Sequence, residues 1–282
     1  RDIEGFGIKT ETQILQGITL LEESSGKVLF PVARQLSDQI LKHLSDQGSF
    51  LRLEVAGSLR RKCEVVSNIN LIGTPVSETC MQHFLQLPMI RQILQKTPEY
   101  SKVMTIYDIE VDLFLTEPAK FPFVLLSHTG SYAHFSILQA KAKQKHLTLE
   151  PDRMIHADGH LIHGNSEGEI YHHLGLPFMP PEIREDLIEF NLPDPHILIE
   201  RQNIQGTVHA HTGWSDGSGT LEEMAESASE QHLSYLGITD HSQSAFYAGG
   251  LTIDRLQKQW EAMQELQGKS GITFFRGIES EI

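Results

Sequence analysis

From residue 207 onward, short apolar runs alternate with amphipathic stretches, and each run is followed by a side chain that can ligate a metal. Residues 207–211 (Thr-Val-His-Ala-His), 235–239 (Tyr-Leu-Gly-Ile-Thr) and 272–275 read as strands. A capping box from Thr220 to Glu223 opens a helix that runs towards His232, and the spacing predicts a second helix over 253–266. Strand–helix alternation of this kind opens a parallel barrel or a wound sheet. Such folds keep their sites at the C-terminal ends of the strands. His209 and His211 lie two apart on the first strand, so both imidazoles share one face. Asp216 follows in the next loop, Asp240 and His241 close the second strand, and Glu279 follows the third. This donor set suits zinc, manganese or iron. A single His-x-His is weak evidence, with scattered polar residues at loop mouths as the alternative. The repetition after each strand argues against coincidence.

The chain has 282 residues, enough for two or more cores, and 39% hydrophobic with 21% charged residues is a globular balance. No apolar run is long enough to span a bilayer, and no secretory leader is expected. Cys63 and Cys80 cannot build a disulfide framework, so a reducing, cytoplasmic setting is expected. The start at Arg1 and the end at Ile282, just after a strand, suggest that both ends are cut. The net charge of −14 opposes nucleic-acid binding unless Lys and Arg gather on one face. Arg60, Arg61 and Lys62 form the one small cluster of that kind.

Upstream, Gly5-Phe6-Gly7 followed by Lys9-Thr10 reads as an ordinary glycine turn, or as one that points N–H groups at a phosphate. Residues 28–44 carry Val32, Leu36, Ile40, Leu41 and Leu44 at helical spacing. Strands are predicted over 51–55, 68–72 and 109–115, the last containing Asp112, with helices over 77–85 and 132–145. That mixture implies an α+β sheet domain. His156, His160 and His163 tempt a metal assignment, but Asp158-Gly159 is a hairpin turn signal, so these histidines decorate a ribbon. His172 and His173 lie in a helix opened by Ser166 and Glu169 and closed at Gly175; adjacent helix positions diverge and do not chelate together. Residues 177–206, rich in proline and charge, read as an interdomain connector packed on the surface.

Val208-His209-Ala210-His211-Thr212, Trp214-Ser215-Asp216-Gly217 and Ile238-Thr239-Asp240-His241-Ser242 resemble the opening motifs of the PHP family. The resemblance implies a distorted (β/α)7 barrel with a three-metal site. It implies His209, His211 and Glu279 as ligands in one part and Asp216 and His241 in another, Asp240 not being a ligand. The family's later His and Asp ligands fall beyond Ile282, so this chain is expected to carry only part of a metal site and to bind metal weakly by itself.

Val55-Ala56-Gly57-Ser58-Leu59-Arg60-Arg61 resembles the nucleotide-phosphate motif of family X DNA polymerases. There Gly57, Ser58 and Arg61 would hold a triphosphate, as N–H groups and a guanidinium can. By the same resemblance Gly5, Gly7, Lys9 and Thr10 would contact DNA in a helix-hairpin-helix. Thr129-Gly130-Ser131 matches the family's later turn, and Pro180-Pro181-Glu182-Ile183-Arg184-Glu185 resembles the connector to the PHP domain in bacterial members. The implied architecture is multidomain α+β: a helix-hairpin-helix and helical segment over 1–48, a polymerase beta-like palm over 49–118, a thumb over 119–176, a connector over 177–206 and the start of a PHP (β/α)7 barrel over 207–282.

Departures from the family pattern are equally informative. Where the family has Gly-Asp-Ile-Asp, this chain has Ser67-Asn68-Ile69-Asn70, leaving only Asp112. Two-metal phosphoryl transfer needs carboxylates to hold its cations, so magnesium binding and polymerisation are expected to be lost. Ser127-His128 and Phe135 stand where the family often has Tyr-Phe and Asn. Three functions follow as alternatives. One is a DNA-processing protein whose PHP domain, with zinc or manganese, is a phosphoesterase or 3′ exonuclease on DNA ends. The others are a non-catalytic DNA-binding or scaffold protein, and a PHP phosphatase for a small metabolite. DNA is the expected partner, a nucleotide a further one, and no membrane is expected.

Overall fold

The computed structural model describes residues 26–185, 188–191 and 198–280. The expected helix-hairpin-helix residues Gly5, Gly7, Lys9 and Thr10 lie outside them. The chain divides into two units, Arg1–His196 and Ile197–Ile282.

In the first unit a short strand β1 (Val28–Leu29) leads into α1 (Phe30–Asp46), with Pro31 in the first turn, where a missing N–H costs nothing. The expected apolar stripe holds at Leu36, Ile40 and Leu44, which are buried with Ala33. Val32 instead faces solvent, because the buried stripe runs through Ala33. Next come β2 (Phe50–Ala56), the single turn α2 (Gly57–Arg60), β3 (Val65–Val66) and β4 (Asn68–Pro75). They are followed by α3 (Cys80–Leu85), β5 (Ile90–Lys96), β6 (Tyr100–Thr105) and β7 (Glu110–Leu115).

Five strands form one mixed sheet in the order β2-β4-β7-β6-β5. Only β4 and β7 run parallel, with Asn70 opposite Asp112; the other pairs are antiparallel. Strand alternation sends Ile69, Leu71, Val111 and Leu113 to the core under α1. Each such buried aliphatic side chain contributes about 1.5–3 kcal/mol. Ile72 and Phe114 take the opposite face, against Phe121 and Leu125 of α4 (Phe121–Thr129). Half-buried Asn68 and Asn70 and buried Asp112 share this second face with them.

Beyond α4, Ser131 caps α5 (Tyr132–Gln144) by accepting from the His134 N–H. A three-stranded antiparallel sheet follows, of β8 (Leu147–Glu150), β9 (Arg153–His156) and β10 (Leu161–Ile162), with Asp158-Gly159 at the last turn. Ser166 caps α6 (Glu167–His173), but the Glu169 carboxylate accepts from the Asn165 N–H rather than closing the expected box. Residues 177–185 do not behave as the surface connector expected from their prolines. Met179 joins the core of the α5–α6 region, and Arg184 is fully buried because its guanidinium pairs with Glu167 at 2.6 Å.

The second unit alternates β11 (Gly206–Ala210), α7 (Leu221–Glu230), β12 (Tyr235–Ile238), α8 (Ile253–Ser270) and β13 (Thr273–Arg276). The three strands are parallel, in the order β11-β12-β13. Both halves of the Thr220–Glu223 capping box are formed. Leu221, Ala225, Leu236, Ile238, Met263 and Phe274 make the core between sheet and helices. Gly237 lets β11 and β12 approach closely, since a Cβ there would lie 2.6 Å from the Val208 Cα.

Candidate metal centre and palm site

In the second unit the candidate ligands gather at one end of the parallel sheet. β11 shifts register between Thr207 and Ala210, and His211 follows the strand's last residue. His209 Nε2 and His211 Nε2 lie 3.2 Å apart and face the same Glu279 Oε2, at 2.8 and 2.7 Å. The other His211 nitrogen, Nδ1, lies 2.8 Å from Asp216 Oδ1, and Asp216 Oδ2 lies 3.4 Å from His241 Nε2. Two candidate groups result, His209–His211–Glu279 and His211–Asp216–His241, each with its ligand atoms within 4.8 Å of one another. His211 belongs to both.

Asp240 explains how these positions are held. It is fully buried and accepts from the Thr212 N–H at 2.9 Å, the Thr212 hydroxyl at 2.7 Å and the Ser215 N–H at 3.2 Å. The Ser215 hydroxyl and the Gln259 amide also donate to it. A buried carboxylate with this many donors is satisfied without a metal. It fixes the 212–216 turn, which carries Asp216 to His241. Glu279 is placed by backbone: its N–H donates to the Asp240 carbonyl at 3.1 Å, and its carbonyl accepts from Ser242 at 2.8 Å.

The residues fit a metal. Two imidazole nitrogens 3.2 Å apart cannot both carry a proton toward each other, whereas both can offer lone pairs to one cation. Each group supplies mixed N and O donors and only three of them, the pattern of sites that keep positions open for water or substrate. Burial pulls the His211 imidazole down, but Asp216 and Glu279 outweigh it and raise its pKa. The His211 contact holds Asp216 below the usual carboxylate range, and His209 does the same for Glu279.

The palm site is arranged differently. Asn68, Asn70 and Asp112 do converge on one face, but Asp112 already has partners. Asn68 Nδ2 donates to Asp112 Oδ2 at 2.9 Å and to Asn70 Oδ1 at 2.8 Å. The Tyr100 hydroxyl donates to Asp112 Oδ1 at 2.6 Å, and Lys102 Nζ lies 3.8 Å from that oxygen. Burial and then the Asp112 carboxylate push the Tyr100 phenol pKa up. Asn70 also lies against Gly57, whose positive φ of 66° and lack of Cβ make room for it.

The phosphate motif is likewise engaged by the protein. Arg61 Nε donates to Glu185 Oε1 at 2.6 Å, and its Nη1 to the Thr129 carbonyl at 2.7 Å. Arg60 makes a bidentate pair with Glu167, at 2.9 and 2.7 Å, and Lys62 pairs with Glu182 at 2.9 Å. The triplet expected to form a basic surface is therefore matched one for one by carboxylates. Gly57 and Ser58 form the single turn α2 beside it. Ser127 donates to the Pro151 carbonyl at 2.9 Å, and His128 packs on Phe114 with ring centroids 4.4 Å apart. Sequence reasoning missed Tyr100, Lys102, Glu167, Glu182 and Glu185. A period-two pattern over 100–105 would have placed Tyr100 and Lys102 on one strand face.

A mixed palm sheet, a thumb and a parallel unit with a histidine–carboxylate cluster define the class of a polymerase scaffold joined to a PHP-type unit. Comparisons with known proteins agree. The DNA polymerase beta thumb family matches residues 124–185, and the PHP domain family matches 207–282. Over 288 aligned positions the chain is 33% identical to the DNA polymerase/3'-5' exonuclease PolX of Bacillus subtilis (strain 168), covering 99% of this chain and 50% of that protein. In both matched domains, and along 99% of its length, the chain is similar to family X DNA polymerases that carry a C-terminal PHP domain. It spans about half the length of that relative. Among the described residues, no helix is long and apolar enough to cross a membrane.

Proposed function

We propose that the intact protein, with its PHP domain complete, processes DNA ends through that domain, as a metal-dependent phosphoesterase with 3′ exonuclease action, while its palm holds DNA without polymerising. The observation that carries this reading is the contrast between the two sites. His209, His211 and Glu279 bring three ligand atoms within 4.8 Å of one another, and their side-chain partners there are each other and Asp216, so one cation can replace the protons they share. Asp112, by contrast, is 3% exposed with hydrogen bonds to both carboxylate oxygens. The relative's name includes a 3'-5' exonuclease, and we carry that activity to the PHP unit here.

In this reading His209, His211 and Glu279 hold one zinc or manganese ion, and Asp216 and His241 complete the other side through His211. A bound ion supplies activated water and stabilises the leaving oxygen. Asp240 keeps the Asp216 turn in place, and His211 ties the two halves together. In the palm, residues 49–118, the Asn68 amide and Tyr100 hydroxyl donate to both Asp112 oxygens, which would otherwise be available to hold magnesium. Arg61 is held by Glu185, so the Gly57–Ser58 turn lacks its guanidinium for a triphosphate.

The test uses 5′-labelled single-stranded DNA and manganese. The intact protein should release 3′ nucleotides, and His211→Ala in it should lower that rate by about 100-fold or more. Unchanged rates in the variant would overturn the assignment. The pairing of Arg60, Arg61 and Lys62 favours a second reading, a PHP phosphatase for a small metabolite. DNA binding that weakens steeply with salt supports the first reading; no DNA binding together with hydrolysis of small phosphate esters supports the second.

A further inference from the structure

We infer that Phe246 and Tyr247 form a stacking platform for an unpaired nucleobase beside the candidate metal centre, so that the unit reads the last base of a single-stranded 3′ end. This rests on the proposed phosphoesterase reading and adds the part of the substrate that the metal ligands do not touch.

Two adjacent aromatic side chains are 85% and 70% exposed on a one-turn 3-10 helix, Phe246–Ala248. Their rings meet edge to face, with centroids 5.9 Å apart. Large aromatics displayed side by side are a binding surface more often than an accident of packing. Their position is specific. The Tyr247 ring centroid lies 6.3 Å from that of His241, which in turn meets His211 edge to face at 4.5 Å. An aromatic row thus runs from the platform to the ligand shared by both metal groups. A base stacked on this row has its own phosphate within reach of the ligands.

The turn is also rigid. Ala245 and Ala248 are buried beneath it, and their N–H groups donate to Ser242 and Ala245 carbonyls at 3.0 Å. The Leu251 N–H donates to the His241 carbonyl at 2.7 Å, closing the loop back onto the ligand-bearing segment. Gly249 takes φ 68°, and its carbonyl accepts from Arg255 Nη1 at 3.0 Å. A platform fixed before binding loses little entropy when a base settles on it. Every nucleobase has a π-face, so stacking recognises single strands without demanding a sequence. That suits a net-acidic protein whose Arg60, Arg61 and Lys62 are already paired.

The experiment uses the full chain and short single-stranded oligonucleotides whose last linkage is a phosphorothioate, to slow hydrolysis. One carries 2-aminopurine at its 3′ terminus, and its twin ends in an abasic residue. Stacking quenches 2-aminopurine. The wild-type protein should quench it and bind it about ten-fold more tightly than the abasic twin. Phe246→Ala/Tyr247→Ala should bind both alike without quenching, and Tyr247→Phe should keep the quench. Both variants should bind manganese as the wild type does, since neither ring is a ligand. Equal binding of the two oligonucleotides by the wild type, or a preference that survives in the double alanine variant, would overturn the platform. Quenching together with no hydrolysis of the same oligonucleotide carrying an ordinary phosphodiester at its last linkage would leave the platform standing and sink the phosphoesterase reading instead.

Discussion

Asn68 donates its side-chain amide to the carboxylate of Asp112 across two parallel strands, at 2.9 Å. In the proposed reading the pair stands where a polymerase palm gathers its metal-binding carboxylates. N–H and O–H donors from Asn68 and Tyr100 do there what a cation would do, which is to balance a buried negative charge. Lys102 adds positive charge 3.8 Å away. Reverting Asn68 and Asn70 to Asp would therefore place new carboxylates in a site that Tyr100 and Lys102 still occupy.

Tyr100→Phe removes one of the two side-chain hydrogen bonds that Asp112 accepts and should cost about 1–3 kcal/mol of stability at neutral pH. The phenol pKa is raised in the folded state, first by burial and then by Asp112. Its contribution is therefore full below the ordinary value of 10.0 and is lost as pH rises towards the folded value. Urea unfolding from pH 7 to pH 11 checks this: the wild type should lose stability above about pH 10 more steeply than the variant. Parallel curves would contradict it.

Glu167 carries two guanidinium groups, those of Arg60 and Arg184. Burial opposes its charge, but the two arginines outweigh burial and lower its pKa below the ordinary 4.5. The sign follows: the stabilisation is complete above 4.5 and disappears as pH falls through the folded value. Glu167→Gln should destabilise by about 3–5 kcal/mol at pH 7, because the buried Arg184 and the half-buried Arg60 lose their shared partner. Melting temperatures of variant and wild type should converge in acid below the ordinary value. A gap that stays constant into strong acid would rule this out.

Asp240→Asn keeps the size of the side chain but replaces an acceptor with an N–H donor facing other donors. The turn bearing Asp216 should loosen, and manganese affinity should fall about 10–100-fold although no ligand has changed. Calorimetric titration measures this directly. Wild-type affinity in the variant would show that Asp240 does not organise the site.

How much of this was legible depended on how local the signal was. His209 and His211 are two residues apart, and strand geometry brings them together with no tertiary information. The Thr220–Glu223 capping box and the Asp158-Gly159 turn are equally local. Glu167, Glu182 and Glu185 meet Arg60, Lys62 and Arg61 across more than a hundred residues, and no periodicity records such a pairing. Helix α4 was missed for another reason: Phe-Pro-Phe-Val-Leu-Leu is apolar on every side, so a buried helix leaves no amphipathic rhythm. Strand β5 places Ile93 and Leu94 side by side, which breaks the alternation that marks a strand. Asp240 was read as a non-ligand by resemblance, but its role in fixing the turn depends on Thr212, Ser215 and Gln259 meeting it in space.

A single gel tests the division of labour between the two sites. A 5′-labelled primer annealed to a longer template is incubated with the protein, manganese and all four deoxynucleoside triphosphates. The account predicts primers that shorten from the 3′ end and none that lengthen, with or without the triphosphates. Template-directed extension that disappears in Asp112→Ala, or primers that stay intact in the presence of manganese, would contradict it.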